Sequence, residues 1–577
     1  MNASRPWLRF HGEVPSSLSY PQVSLYEAVM ATCRRIPDAT AFEFLGTTAT
    51  YRELGDAIDR CADAFASLGM RAGDRITVAM PTCPQGVIAF YAAIKLGAVP
   101  AMIHPLSTPA ELELYLNVSR SRFALTLDAF YGKFAEVRAR TKLELLLLAR
   151  ISDYLRPLKK LGFWLTRGRK IPRVPADPSV RWWSDLMSTP HPRAAAAPSG
   201  TNELAAILFS GGTTGQPKGI MLSHQNFIAE GMQAAAWGRL REGDRVLAIL
   251  PIFHGFGLGV CINAVLMGGG QPIMVPTFTP ETVAELIRTR HPHFMVGVPT
   301  LYDALSVDPS LKGANLSSLR AAFCGADTLP RPVKERFERL VAGGGGHVQL
   351  LEGYGLTETV TAIMAMPVGE YREGSLGIPF PDMDVSIRHP DTGEQLPPGE
   401  EGEICIAGPS VMLGYLDEPE ATAQALRVHE DGRTWLHTGD LGRMDADGFF
   451  YFTCRLKRMI KSSGFNVYPN QVEAVLYTHP AVVEACVVGV PDEAQVERVK
   501  AFVVLKEPGR EGAATEEELI AHCRSRLIKW SCPREVEFRR ELPKTRVGKI
   551  DYKALTREER ERVASGRAMP PAHPAAR

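Results

Sequence analysis

Leu204-Ala205-Ala206-Ile207-Leu208-Phe209 runs directly into Ser210-Gly211-Gly212-Thr213-Thr214-Gly215-Gln216-Pro217-Lys218-Gly219, and this junction decides how the chain is read. The apolar run predicts a strand. The loop after it packs hydroxyls, one lysine and four glycines into ten residues. Glycines let successive backbone N–H groups turn toward one anion, and Ser/Thr hydroxyls add uncharged donors. A strand feeding such a loop makes a cradle for a polyphosphate. It is not a Walker A loop, which wants Gly-Lys-Ser/Thr opening a helix; here Lys218 follows a proline and precedes a glycine.

Around this junction the composition is that of an ordinary globular protein, 45% hydrophobic and 22% charged. At 577 residues the chain exceeds the ~250–300 at which single cores split, so at least two domains are expected. A formal charge of +1 gives no reason to expect nucleic acid as a partner. The ten cysteines are scattered, with no CxxC pair and no Cys/His cluster, so neither zinc nor a disulfide framework is indicated. Reduced thiols in a cytoplasmic setting fit best. The N-terminal residues lack a signal-peptide core, and no run approaches a membrane span. Residues 143–170, LELLLLARISDYLRPLKKLGFWLTRGRK, interleave apolar positions with seven cations. That pattern is either a basic amphipathic segment lying on an anionic membrane or a domain helix with a solvated basic face.

Strand and helix signals alternate through the first half: AIDRCADAFASL at 57–68, RITVA at 75–79, GVIAFYAAIKLGA at 86–98 and VPAMI at 99–103. The pattern resumes at 245–250, 272–275, 293–298 and 319–324, which argues for βαβ units and parallel sheet. From about 374, short β-rich segments alternate with Gly/Pro/Asp turns and suggest an antiparallel sheet or small barrel. After about 456 the texture is again mixed, with strands at 485–490 and 500–505; residues 566–577 read as a disordered tail.

Four further clusters invite chemistry. In Glu352-Gly353-Tyr354-Gly355-Leu356-Thr357-Glu358-Thr359 a tyrosine bracketed by glycines can stack on a base, and a Thr-Glu pair offers a hydroxyl and a hard carboxylate. In His437-Thr438-Gly439-Asp440, Asp440 can accept from a diol; it is also a common turn residue. Arg455-Leu456-Lys457-Arg458-Met459-Ile460-Lys461-Ser462-Ser463-Gly464 sets four cations at the texture change. Pro543-Lys544-Thr545-Arg546-Val547-Gly548-Lys549 places a lysine on a glycine-containing loop, where it can meet a phosphate as a point charge.

Together and in this order, the five clusters resemble those of the AMP-forming adenylating enzymes, the superfamily of acyl-CoA synthetases, firefly luciferase and peptide synthetase adenylation domains. The resemblance runs from about residue 20 to 555 and is most like a fatty acid–CoA ligase. It implies an α/β fold: a large N-terminal AMP-binding domain of two βαβ-type sheets plus a small β-barrel over 1–456, and a smaller mobile α+β domain over 457–565. It implies ATP with Mg²⁺ and CoA as reactants, an acyl-adenylate intermediate, and a carboxylic acid substrate. Ser210, Thr213, Thr214 and Lys218 match the β/γ-phosphate loop; Gly325, Ala326, Asp327 and Tyr354 the adenine wall; Thr357 an α-phosphate contact; and Glu358 the magnesium ligand. Asp440 and Arg455 match ribose contacts, Lys549 the lysine bridging carboxylate and α-phosphate, Lys457 the hinge, Gly464 the thiol-tunnel glycine, and His254 a residue bordering the acyl carbonyl. Cys454 and Phe465 depart from what many relatives carry, without removing a catalytic group.

Gly257, Gly259, Val298, Cys324, Gly325 and Gly353 make a glycine-rich, apolar acyl pocket by the same alignment, favouring a medium- or long-chain fatty acid. An aryl or cinnamate-type CoA ligase, and an acyl-AMP ligase loading a carrier protein in trans, stay open as alternatives. A degenerate nucleotide-binding scaffold is disfavoured, because both Glu358 and Lys549 are present.

Overall fold

The computed structural model describes residues 5–166, 168–209, 217–462, 465–492, 496–507, 509, 511–545 and 549–565. The chain divides into two compact units: one holds the chain up to Val385 with Ile406–His437 and Asp447–Phe449, the other Ser386–Cys405, Thr438–Ala446 and everything from Phe450 on.

Two sheets organise the first unit. In one, six parallel strands lie in the order Leu204–Phe209, Val99–Met102, Arg75–Ala79, Phe123–Leu127, Leu145–Ala149 and Val180–Trp182. Beyond Leu204–Phe209, Gly219–Ser223 and then Gly414–Tyr415 add antiparallel at the edge. The second sheet also has six parallel strands: Thr40–Phe44, Gln271–Met274, Arg245–Ala248, Phe294–Gly297, Ala321–Cys324 and Leu350–Gly355. Antiparallel strands finish it at both edges, Thr47–Thr50 on one side and Ala362–Ala365 with Ile378–Pro379 on the other. The expected βαβ alternation is therefore present, and the chain is mixed α/β. The helix Pro84–Lys95 is buried at every position, as an all-round apolar sequence requires.

One sequence reading needs correction. Within 143–170, Leu145–Ala149 is a strand paired on both sides, and 146–149 are buried. A strand covered on both faces reads as an unbroken apolar run rather than an alternation, and LLLLA was absorbed into the basic stretch beyond it. The amphipathic helix is shorter, Pro157–Thr166. Among the described residues no helix is long and apolar enough to cross a bilayer.

In the second unit Val482–Asp492 and Val496–Leu505 form a long hairpin, joined by Glu535–Phe538 parallel to the second strand and by Ile460–Ser462 with Phe465–Val467. Helices Pro469–Tyr477 and Ala513–Arg524 pack on it, with Val472, Leu476, Val487, Val503, Leu519 and Val536 in its core. The antiparallel texture expected beyond 374 appears here as Asp440–Met444 paired with Phe450–Arg455.

Candidate active site

Parallel strands gather loops at their carboxyl ends, where ligands of open α/β sheets bind. Four neighbouring strands of the second sheet deliver the candidate residues there. Arg245–Ala248 leads to His254, Phe294–Gly297 to Val298, Ala321–Cys324 to Gly325-Ala326-Asp327, and Leu350–Gly355 to Thr357 and Glu358. Gly325 follows Cys324, which pairs with Glu352, so Gly325 and Gly353 lie side by side where the parallel pairing of these strands stops. Gly325 N–H donates to the Gly297 carbonyl at 3.1 Å, tying a third strand end to the same place. Ala326 sits in the left-handed region, φ +71°, and Asp327 is exposed beyond it.

Tyr354 is half-buried next to the end of its strand, and Thr357–Thr359 form one 3₁₀ turn. The turn is locked from inside: Thr359 is buried, and the carbonyls of Leu356 (3.0 Å) and Thr361 (3.1 Å) share its single hydroxyl proton. Val360 pays in backbone strain with φ +65°. A side chain on Gly255 would fall onto the Val360 carbonyl and one on Gly355 onto the Thr361 carbonyl, so only glycine lets both segments close on this turn.

His254 stands half-buried ahead of a π-helix, Phe256–Asn263. Its Nδ1 accepts the Phe256 backbone N–H at 3.2 Å, which leaves the neutral ring's proton on Nε2. π-helices are rare and frequent at functional sites.

The junction that opened the sequence reading is a hairpin. Phe209 pairs with Gly219, so the loop returns into an antiparallel strand and not into a helix, which sets it apart structurally from a Walker A loop. Ser210, Thr213 and Thr214 lie outside the described residues, as do Gly464, Gly548 and the 566–577 tail. Lys218 is described: its Nζ lies 4.7 Å from the centre of the Tyr415 ring. Tyr415 donates its hydroxyl to Glu358 Oε1 at 2.9 Å, and Met412 N–H meets the Glu358 carbonyl at 2.8 Å. Burial and the Glu358 carboxylate both push the Tyr415 hydroxyl's pKa upward, so it stays a donor. The lysine and glutamate read from separate motifs are thus joined through one aromatic residue that sequence reasoning did not single out. Gly414–Tyr415 is a two-residue strand paired with Ile220 and Met221, and nothing local in the sequence marks it.

In the second unit Asp440 and Arg455 face each other across paired strands, with Arg455 Nε 3.2 Å from Asp440 Oδ1. Asp440 is 2% exposed, and its N–H donates to the Thr438 hydroxyl at 3.0 Å. Cys454 beside them is buried, which raises its thiol to about 12 and keeps it inert. Lys457 lies exposed on the 3₁₀ turn Leu456–Arg458 that follows the strand. Lys549 is half-buried; near it in the chain, Asp551 N–H donates to the Pro543 carbonyl at 2.7 Å, and Leu542 and Leu555 are core residues. The Thr545 N–H donates to the Lys549 carbonyl at 2.6 Å.

Loops at the carboxyl ends of neighbouring parallel strands are where open α/β sheets bind nucleotides and other ligands. The chain belongs to the AMP-binding enzyme family: that family's model matches residues 29–416, and the model of the AMP-binding enzyme C-terminal domain matches 471–549. It is 37% identical over 570 residues to a long-chain-fatty-acid–CoA ligase of Bacillus subtilis (strain 168), covering 97% of this chain and 99% of that protein. A feruloyl-CoA synthase of an Amycolatopsis species is 34% identical over 523 residues, covering 90% and 95%. Among solved structures, anthranilate CoA ligase AuaEII in complex with anthranoyl-AMP matches with a TM-score of 0.80 at 26% identity, covering 96% of this chain and 99% of that one. ATP-bound MatB from Rhodopseudomonas palustris matches with a TM-score of 0.81 at 26% identity, covering 93% and 99%. The chain is an acid–thiol ligase of this family.

Proposed function

We propose that this enzyme converts a medium- or long-chain fatty acid, ATP and CoA into acyl-CoA, AMP and pyrophosphate through an acyl-adenylate. The observation that carries the reading is the Lys218–Tyr415–Glu358 chain set beside four strand ends whose walls are glycine and apolar. Full-length similarity to long-chain-fatty-acid–CoA ligases supports the choice of acid over an aryl substrate.

Carboxylate attack on phosphorus brings two anions together, so the barrier is largely electrostatic. Ser210, Thr213, Thr214 and Lys218 would hold the β- and γ-phosphates, Thr357 the α-phosphate, and Gly325, Ala326, Asp327 and Tyr354 the adenine. Glu358, a half-buried carboxylate fixed by Tyr415, is the kind of hard oxygen donor that fits Mg²⁺. Such an ion supplies charge neutralisation at the leaving pyrophosphate. His254 would border the acyl carbonyl with its Nε2–H, and Asp440 with Arg455 would hold the ribose. Lys549 would bridge the acid and the α-phosphate in the first half-reaction.

For the second half-reaction we place the moving boundary at Leu456/Lys457, so that 1–456 and 457–565 act as AMP-binding and mobile domains. Lys457 would be the hinge, and Gly464 would line the entrance for the CoA thiol. A hinge of this kind needs one backbone position free to change φ/ψ, and Lys457 is exposed on a single turn.

The same reading places the enzyme on an anionic membrane surface from the cytoplasmic side, through the helix Pro157–Thr166. No residue of this helix is buried, and Leu158, Leu161, Trp164 and Leu165, on one stripe, are each more than 50% exposed. Lys160, Arg169 and Lys170 supply matching positive charge. Sedimentation with vesicles containing phosphatidylglycerol checks this: Trp164→Glu is expected to leave the protein in the supernatant.

The catalytic reading is tested by pyrophosphate release over a panel of acids, with and without CoA, with products identified by mass spectrometry. Acyl-CoA from aliphatic acids of medium or long chain is expected. Preference for aryl acids, or acyl-AMP accumulation with no thioester, would replace the reading by one of its alternatives.

A further inference from the structure

The helix His224–Trp237 opens with a capping box between Ser223 and Asn226 and turns three polar side chains inward at helical spacing. Asn226, Glu230 and Gln233 are 4%, 0% and 0% exposed. Two of them tie the helix to neighbouring backbone. Asn226 Nδ2 donates to the carbonyls of Pro409 (2.9 Å) and Val411 (2.8 Å), and Gln233 Nε2 to that of Pro381 (2.8 Å). Glu230, between them, is different. The Ala362 amide approaches the carboxyl, but among the described residues no donor meets either oxygen in full hydrogen-bonding geometry.

Its position is specific. Glu230 Oε2 lies 2.7 Å from the point where a Cβ on Gly259 would sit, and Val360 Cγ1 lies 3.1 Å from the same point. Gly259 belongs to the π-helix that follows His254, and Val360 follows the turn carrying Thr357 and Glu358. The carboxyl group is therefore packed against the bare backbone of Gly259, a residue read as part of the acyl pocket. A buried polar group left unsatisfied costs roughly 1–3 kcal/mol, and each such group in a native structure calls for an explanation.

We propose that Glu230 is a specificity-determining residue of the acyl pocket, selecting acids whose chain carries a hydrogen-bonding oxygen, a hydroxyl or oxo group, over plain hydrocarbon chains of equal length. This rests on the acyl-CoA ligase reading above. Burial pushes the Glu230 carboxyl up to about 8, with the Ala362 amide offsetting part of that, so near neutrality it is mostly protonated. A neutral carboxyl offers one donor and one carbonyl acceptor, which pairs with an alcohol or ketone and not with a charged tail. A site built to hydrogen-bond a substrate hydroxyl discriminates strongly against the analogue lacking it.

The test compares kcat/KM for saturated fatty acids and their positional monohydroxy isomers, in wild type, Glu230→Gln and Glu230→Leu. Wild type is expected to prefer one hydroxy isomer over its plain parent by about tenfold or more, with Glu230→Leu reversing the preference and Glu230→Gln keeping part of it. A wild type that prefers the plain acid throughout overturns the proposal and leaves the ligase reading intact. So does a Leu variant whose ratio stays within about twofold of wild type. If the Leu variant does not fold, the wild-type ratios across the positional series decide alone. Release of pyrophosphate with no acid at all overturns both readings.

Discussion

Tyr415 donates its hydroxyl to Glu358 Oε1 across 2.9 Å while its ring lies 4.7 Å from the Lys218 ammonium. One side chain thus fixes the direction of a carboxylate and offers a π-face to a cation, two contacts that favour opposite charges at one place. Tyr415 is itself held by backbone pairing to Ile220, in the strand just after Lys218, so the ring that links lysine and glutamate has a fixed base.

Tyr415→Phe keeps the ring and removes the hydrogen bond. A hydrogen bond to a charged group is worth about 1.5–3 kcal/mol, so acid-dependent ATP–pyrophosphate exchange is expected to fall roughly 10- to 100-fold. The Mg²⁺ concentration for half-maximal rate should rise. A magnesium titration identical to wild type would contradict the coupling.

Lys549→Ala is expected to slow acyl-adenylate formation by about 10²–10³, while acyl transfer from supplied acyl-adenylate to CoA is largely kept. Lys457→Pro should show the reverse split, because it freezes a hinge and leaves the adenylating groups in place. The two half-reactions, measured separately by single turnover, distinguish the cases. Equal loss of both in Lys457→Pro would refute the hinge assignment.

Lys500 is 2% exposed and sits 2.8 Å from Glu535, 2.8 Å from Glu537 and 3.0 Å from Glu559. Burial acts to raise Glu537, yet Arg562 and Lys500 hold it down at about 2. Removing the lysine leaves carboxylates crowded without their shared cation, and breaking a buried pair costs about 3–5 kcal/mol. Lys500→Met is expected to lower the unfolding free energy of the second unit by that amount, read by denaturant titration. Since the folded pKa of Glu537 is depressed, its share of wild-type stability is present above the ordinary value of 4.5 and is lost as pH falls through about 2.

Glu230 has the opposite sign. Its folded pKa is raised from the ordinary 4.5 to about 8, so the stability it confers is full below 4.5 and is lost as pH rises through about 8. Glu230→Gln carries no such titration. The variant should gain on wild type in urea midpoint between about pH 5 and 8 and keep a constant lead above that. A difference that does not change with pH would contradict a protonated Glu230.

How far the sequence could be read depended on whether the signal was local. Arg75–Ala79 and the helix through Gly86 followed from composition alone, because burial on all sides leaves an unmistakably apolar string. The strand–loop junction at Phe209 was legible for the same reason. Leu145–Ala149 was not, since Arg150 follows its apolar run directly and the cationic stretch resumes a few residues on. Tyr415 and Glu230 escaped for a different cause. Each acts through a partner far along the chain, Glu358 and Gly259 respectively, and a glutamate on a helix looks the same in sequence whether it faces water or a core.

The π-helix Phe256–Asn263 stores slack. A π-type hydrogen bond spans five residues where an α-helical one spans four. Deleting a single residue there lets the segment tighten to ordinary pitch, so that everything upstream, His254 included, swivels while Gln271–Met274 stays put. A one-codon loss in this stretch is thus a route by which a relative could re-aim its acid-facing wall without touching the nucleotide side.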